Sequence, residues 1–390
     1  MAYTQENTTQ MEQVLELLSQ HGFEGMADAI GTLMNTAMVL ERQNHLRVGY
    51  YQRGSERQGQ ANGFKPKTMK TRVGEVQLQI PQVRDSTFYP QSLERGQRSE
   101  TALTLALAEM YVNGVATRKV ANITETLCGL SVSSTQVSEA SKKLDTQLSE
   151  WRERKLGAYP HLILDARYEK VRQGGTVVSC AVLIAVGIDE KGKRSILGVS
   201  VKLSEQEVHW RDFLKSLVER GLHGIKLITS DAHEGLKAAL RAVFPSVFWQ
   251  RCQFHLQQNA QKYVPKQSMK TEVASNIRAI FNASDRTEAD RQLRLAMEQY
   301  KTSAPALAAW METSIPEGLT VFAFPEKIRK RLRTSNMLER INKEVKRRTR
   351  VASLFPNEQS CLRLVTAILV EISEDWEAGP TYLKLEDDME

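Results

Sequence analysis

Two short apolar runs in this chain each end on an aspartate, and that repeated arrangement restricts the fold more than any other feature. In residues 161–168 (HLILDARY), Leu162, Ile163 and Leu164 lead into Asp165; in residues 225–231 (IKLITSD), a second run leads into Asp231. A continuous apolar run of this length reads as a strand covered on both faces, in the middle of a sheet. Residues 176–188 (TVVSCAVLIAVGI) and 195–203 (SILGVSVKL) also read as strands, with a turn at Gly192 between them. Ser204 and Glu207 have capping-box spacing, and Val208, Phe213, Leu214, Leu217 and Val218 give the following helix an apolar face. The order strand, strand, strand, helix, strand implies three tightly joined antiparallel strands. The fourth strand arrives from a helix and lies parallel to the first. Asp165 and Asp231 then share one edge of the sheet, where like charges repel unless a cation bridges them. Hard oxygen ligands placed this way suit a divalent metal. The competing reading makes Asp165 a plain turn cap.

A third acid lies in residues 332–351 (LRTSNMLERINKEVKRRTRV). Ser335 or Asn336 can cap a helix, and Leu338, Ile341 and Val345 share one face that would pack on the sheet. Glu339 stands beside that stripe. In the competing reading this is a solvated helix in which Glu339 and Lys343 form an i, i+4 pair worth about 0.3–0.5 kcal/mol. Cations crowd the stretch: residues 327–333 (KIRKRLR) end on Arg333, and Arg340, Lys343, Lys346, Arg347 and Arg350 follow. Such runs are usually solvated faces, but beside a metal site they would hold a polyanion.

Here the sequence resembles a known family. Asp165, Asp231 and Glu339 together look like the acid triad of DDE transposases with a ribonuclease-H-like core. Three stretches resemble the IS256/Mutator family of bacterial insertion-sequence transposases. They are Ser230-Asp231-Ala232-His233 with Gly235-Leu236, Trp249-Gln250-Arg251-Cys252 with His255, and residues 333–351 with Phe355-Pro356-Asn357. The likeness covers roughly residues 63–364. It implies an enzyme that breaks and joins DNA strands, with Asp165, Asp231 and Glu339 catalytic. They would bind two Mg²⁺ per site, Mn²⁺ being able to substitute, one ion activating a water or a DNA 3′-hydroxyl and the other stabilising the leaving oxygen. Its expected partner is double-stranded DNA, as transposon ends carrying terminal inverted repeats and as target. Two rivals share part of this pattern: a ribonuclease-H-like DNA nuclease that cuts without joining, and a non-catalytic DNA-binding regulator.

Other stretches fit such a partner. The net charge is +7 over 390 residues, which favours nucleic acid as a partner. Residues 99–113 and 117–127 read as helices, followed by Gly129, Ser131 and Ser133, then a helix over 135–151. That is the pattern of a helix-turn-helix or of an ordinary helical pair. In a helix-turn-helix, Ser133, Ser134, Gln136 and Lys142 would face DNA at the head of the second helix. Residues 47–72, with Tyr50, Tyr51 and Gly54, read as an extended arm whose Lys65, Lys67, Lys70 and Arg72 would follow a phosphate backbone, or as a solvated linker. Residues 73–83 alternate as a half-buried strand stopped by Pro81. Trp210 reads as core, or as a ring that stacks on a displaced base. Cys252 and His255 have C-x-x-H spacing, but no second pair follows to complete a zinc site; they read as local structure or a DNA contact.

The fold class read from these signals is α/β. With what the resemblance implies, it is an RNase H-like mixed-sheet catalytic core with an α-helical insertion, preceded by a mostly α-helical N-terminal DNA-binding region containing a helix-turn-helix. The divisions are 1–45, helices with stripes such as Met11, Val14, Leu15 and Leu18 that pack on the chain or on a second copy in a homodimer or higher oligomer; 46–98, basic arm and small β segment; and 99–155, helix-turn-helix. The core occupies 158–256 and 327–370, with a helical insertion at 257–326 and an acidic tail at 371–390. Scattered Cys128, Cys180, Cys252 and Cys361 suit a reducing cytoplasm, and the resemblance implies a bacterial, nucleoid-associated protein. No leader pattern is expected at the N-terminus. The longest apolar run, residues 180–188, is too short to span a bilayer, so no membrane is expected as a partner.

Overall fold

The structure is a computed structural model that describes residues 2–47, 57–84, 87–93, 95, 98–350 and 354–383, with side chains from residue 11 onward. Tyr50, Tyr51 and Gly54 of the basic arm, Val351 and residues 384–390 of the acidic tail lie outside these residues. The chain divides into two compact units, Met1–Lys143 and Leu144–Glu390.

In the first unit, α1 (Ala2–His21) and α2 (Met26–Leu46) precede a hairpin of β1 (Ala61–Thr71) and β2 (Gly74–Val83). The alternation of β2 buries Val76, Leu78 and Ile80 against Met38 of α2. Asn35 fastens the two elements, accepting from Gln79 N at 2.7 Å and donating to Gln77 O at 3.2 Å. Two expectations are corrected here. Pro81 does not stop the strand, because a two-stranded ribbon has only edges and Pro81 sits opposite Phe64 beside a bulge. Residues 61–71 of the basic arm are a paired strand. Lys67 Nζ donates to Tyr89 OH at 3.3 Å, Lys70 Nζ to Ser131 O at 2.6 Å, and Arg72 pairs with Glu100 at 3.0 Å, which leaves Lys65 exposed. The unit ends with α3 (Thr101–Val112), α4 (Thr117–Cys128) and α5 (Ser134–Lys142). Gly129 closes α4 in the left-handed conformation, and Ser133 and Gln136 form a capping box on α5.

The helix expected over 135–151 breaks in two. Its second half, α6 (Asp145–Glu153), belongs to the other unit, where Asp145 takes a bidentate bond from Arg363 at 2.6 and 2.7 Å. That unit is built on a five-stranded sheet of order β5-β4-β3-β6-β7. Its strands are β3 (His161–Gln173), β4 (Thr176–Ile188), β5 (Arg194–Lys202), β6 (Leu227–Ser230) and β7 (Phe248–Arg251). The first three pair antiparallel, while β6 lies parallel to β3 and β7 parallel to β6. Helices α7 (Glu207–Glu219) and α8 (Glu234–Val243) cover one face, burying Leu162, Leu164, Leu183 and Leu197 with Phe213, Leu214 and Leu217.

The apolar face of α7 differs from its sequence pattern. Val208 and Val218 are exposed, and Trp210 is fully buried in the core. A ring with no accessible surface cannot stack on a base, so Trp210 is a core residue, not a DNA contact. Ser204 does not cap α7 either: the helix starts three residues on, with Gln206 at its N-cap and no side-chain cap.

Four helices, α9 (Gln253–Ala260), α10 (Lys270–Phe281), α11 (Arg286–Tyr300) and α12 (Pro305–Ser314), enclose a second core around Ile277, Leu293, Leu307 and Met311. After them, α13 (Glu326–Leu332), α14 (Asn336–Thr349) and α15 (Glu358–Ala378) return to the sheet. The run set apart as an acidic tail from residue 371 therefore begins inside α15.

Candidate active site

Asp165 does not end its strand, as the sequence implied, but pairs with Ile184 of β4 in the middle of β3. The parallel pairing of β3 with β6 matches Ile163 with Thr229, which brings Asp231, the residue after β6, toward the level of Asp165 on β3. Successive side chains of a strand point to opposite faces. Leu162 and Leu164 enter the core under α7 and α8, which turns Asp165, Arg167 and Glu169 toward α14. There Asn342 Nδ2 donates to Asp165 Oδ2 at 2.8 Å, Arg167 donates to the Asn342 carbonyl, and Thr349 Oγ1 donates to Glu169 at 3.0 Å.

The start of α14 is clamped by the second acid's own neighbourhood. Thr229 Oγ1 donates to Leu332 O at 2.7 Å, and Gln253 N donates to Arg333 O at 3.0 Å. Ser335 donates both N and Oγ to Cys252 Sγ at 3.3 Å. Ser335 thus bonds the sulfur instead of capping the helix. Leu338, Ile341 and Val345 are buried, and Glu339, on the next face, pairs with His255 Nε2 at 3.9 Å and not with Lys343. The clamp also explains the motif around Cys252. Gln250 and Gln253 each donate to Gly318 O at 2.8 Å, which anchors the helical insertion to β7. Gly235 is needed because a Cβ there would lie 2.2 Å from Glu205 O.

His255 stands among all three acids. Its imidazolium is raised to about 9, first by the adjoining Cys252 and then by Asp231 and Asp165, against the cost of burial. Burial alone would raise the Cys252 thiol, but His255 and Ser335 bring it below its usual value. Burial pushes the Asp165 carboxyl up to about 6; Asp231 and Glu205 add to the rise, and the Ala166 N–H and His255 oppose it. Glu339 Oε1 is buried without a hydrogen-bond partner. Among the described residues, no group of three or more His, Cys, Asp or Glu stands close enough together to hold a metal ion. Glu339 thus pairs with the His255 imidazolium, and the charges of Asp165 and Asp231 act on it from the sheet. The resemblance placed His255 near the acids, as local structure or a DNA contact and not as their cation; Asn342 was not expected there, and the i, i+3 step from Glu339 was the available signal, since both project on one side of α14.

The other candidate contacts are dispersed. Cys252 is fully buried and so does not reach DNA, and the partly exposed His255 turns toward Glu339, so the pair forms part of the acid site. Arg333 donates to Phe281 O and Asn282 Oδ1 at 3.0 and 2.8 Å, and Arg347 pairs with Glu344 at 2.6 Å. Arg340, Lys343, Lys346 and Arg350 are exposed. In the first unit Ser134 is exposed, Ser133 and Gln136 are held in the capping box, and Lys142 pairs with Glu139 at 2.6 Å.

Comparison with known proteins gives this arrangement a family. The family model described as "Transposase, Mutator family" matches residues 2–379. The chain is 55% identical over 378 residues to the transposase for insertion sequence element IS406 of Burkholderia multivorans, covering 96% of this chain and 97% of that one. It is 37% identical over 351 residues to the transposase for IS256 in transposon Tn4001 of Staphylococcus aureus, covering 88% and 89%. It is 36% identical over 379 residues to the transposase for IS1081 of Mycobacterium tuberculosis, covering 96% and 91%. With the match running through both units and through every element of the acid site, the chain belongs to the Mutator family of transposases.

Proposed function

We propose that this chain binds the terminal inverted repeats of an insertion sequence and catalyses metal-dependent cleavage and strand transfer of DNA through Asp165, Asp231 and Glu339, on an RNase H-like core. The observation that carries the reading is the placement of the three acids about His255, Asp165 from β3, Asp231 from just past β6 and Glu339 from a clamped helix. Their chemistry fits a hard divalent ion: the donors are carboxylates, Glu339 Oε1 is an orphaned acceptor, and burial raises the Asp165 carboxyl to about 6 even with His255 nearby. Mg²⁺ or Mn²⁺ held by these three residues would supply Lewis-acid activation of a hydroxyl nucleophile and charge stabilisation at the leaving oxygen. The chain's own groups do the positioning. Asn342 orients Asp165, and the Ser335–Cys252 bonds fix the register of α14 so that Glu339 faces the sheet. His255 sets a positive charge beside the acids.

In this proposal α4 and α5 act as a helix-turn-helix, which their Gly129 turn and capped second helix support; Ser134 stands at the exposed head of α5, where base contacts begin, and Lys142 at its far end would reach phosphate. Exposed Lys65, Arg340, Lys343, Lys346 and Arg350 add phosphate contacts. Met11, Leu15, Phe23 and Leu33 on the N-terminal helices are exposed and apolar, which supports a homodimer or higher oligomer working on cytoplasmic, nucleoid DNA. Among the described residues, no helix is long and apolar enough to cross a membrane.

The test uses labelled duplex carrying the element's terminal repeat, with Mg²⁺ or EDTA. Wild type should nick at the repeat boundary and join the freed end. Asp165→Asn, Asp231→Asn and Glu339→Gln should each lose at least about 10²-fold in rate while binding the repeat as wild type does. Full activity in all three variants would overturn the assignment, and nicking without joining would make the protein a nuclease.

A further inference from the structure

Behind the acid site, on another face of α14, lies a cavity of about 450 Å³ whose lining includes Arg194, Arg331, Arg340, Glu344, Trp376 and Tyr382. These residues come from β5, α13, α14, α15 and the segment after α15, so no stretch of sequence announces the site. It holds three guanidinium groups and one carboxylate. That carboxylate, Glu344, is already taken by Arg347 at 2.6 Å and Arg348 at 2.8 Å, which hold it down to about 2. Among the described residues, Arg194, Arg331 and Arg340 form no ion pair.

Aromatic rings hold two of the arginines in place. The Arg194 guanidinium lies 4.2 Å from the Trp376 ring centre and 5.1 Å from that of Tyr382, and the Arg331 guanidinium lies 5.1 Å from the same Tyr382 ring. Such contacts order the side chains but leave their N–H groups without acceptors. Arg194 Nε is buried with no partner, and Nη1 meets only Met337 Sδ at 3.8 Å. Burial first, and then the charges of Arg340 and Arg331, weaken the hold of Arg194 on its proton. Like charges crowded together with unmet donors are complementary to an oxyanion, and a guanidinium fork matches phosphate in a bidentate way.

We propose that this cavity grips a phosphodiester of the DNA strand, independent of base sequence, a few nucleotides from the cleavage point. The inference rests on the function proposed above. Arg340 follows Glu339 on α14, and a helix with its side chains is about 10 Å across. A phosphate gripped there is therefore within a few nucleotides of one held at the acids.

The test measures binding of the full chain to a fluorescein-labelled duplex of arbitrary sequence, by anisotropy, between about 50 and 200 mM salt. Arg331→Ala and Arg340→Ala remove exposed side chains, and Arg286→Ala, on α11, removes an equal charge outside the cavity. Each cavity variant should lower the slope of log K against log salt by about 1, the double variant by about 2, and Arg286→Ala should leave the slope unchanged. Unchanged slopes in the cavity variants, with wild type binding normally, would overturn the subsite. An equal drop in Arg286→Ala would overturn it too, by showing bulk charge alone. Failure of wild type to bind duplex at all would overturn the DNA-acting function itself, and the subsite with it.

Discussion

His161, the first residue of β3, shows how a single buried group sets a pH response. Its ring is 5% exposed and meets Phe324 edge-on at 5.9 Å. Burial, and next the charge of Lys226, lower its pKa from 6.5 to about 4. Between those values the unfolded chain takes up a proton that the folded chain refuses, so acid favours unfolding. The linkage amounts to about 2 kcal/mol lost at pH 5 relative to pH 7. Asp165, whose carboxyl is raised to about 6, acts with the opposite sign over much of the same range. The informative quantity is therefore a difference. In EDTA, denaturant titrations at pH 7 and pH 5 should show His161→Phe losing about 2 kcal/mol less stability on acidification than wild type. Equal losses in both proteins would mean that His161 is protonated in the fold. The same paired design applies to any single group here, because opposite shifts on neighbouring carboxylates and imidazoles hide one another in the total.

At the scale of elements, the placement of α14 and α15 depends on small fastenings. Phe355 of the Phe355-Pro356-Asn357 motif is buried and exchanges backbone bonds with Lys170 and Arg172 of β3, while Asn357 caps α15 by accepting from Ser360 N at 2.8 Å. Past α15, Tyr382 N and Leu383 N both donate to Gly192 O, at 2.9 and 3.0 Å, so the β4–β5 turn carries the ring that orders Arg194 and Arg331. Gly192 has φ +74, and a Cβ there would stand 1.8 Å from Leu383 O. Gly192→Ala should therefore detach this segment. Chymotrypsin should cut after Tyr382 at least several-fold faster than in wild type, and duplex affinity should fall as it does in the cavity variants. Wild-type resistance to the protease would show that the turn and the segment are not coupled. The turn was legible in the sequence from its Gly and charged residues. Its role as a dock was not, because the partner lies 190 residues away and carries no local pattern.

For the whole molecule, the two units have separate cores and separate sheets, and the boundary falls between Lys143 and Leu144. Leu144–Glu390 produced alone should fold, with a cooperative thermal transition and near-ultraviolet circular dichroism from Trp210 and its neighbours. A fragment with helical far-ultraviolet signal but no near-ultraviolet signal would show that the sheet unit needs the first 143 residues to pack. This division is not the one suggested by helical periodicity, which runs without interruption through residues 135–151. The break comes where Asp145 turns to Arg363, a long-range ion pair that no local period contains.

The sequence by itself determined the elements whose identity is local. β4 runs over the residues its Val and Ile content picks out, β6 follows a helix and so lies parallel to β3, and the apolar stripe of α14 is buried as its spacing requires. It also placed Asp165 and Asp231 near each other, on β3 and just past its parallel neighbour β6, because parallel pairing follows from topology. Tertiary structure decided the rest. Trp210 became core while Val208 and Val218 stayed outside, since the sheet covers only one arc of α7. Cys252 became an acceptor for Ser335, His255 the cation among three acids, and Arg194 a partner of Arg331 and Arg340. Periods of 2 and 3.6 residues tell which side of an element is apolar. Which distant side chains then meet depends on how whole elements bury those sides together, and only the packed fold contains that information.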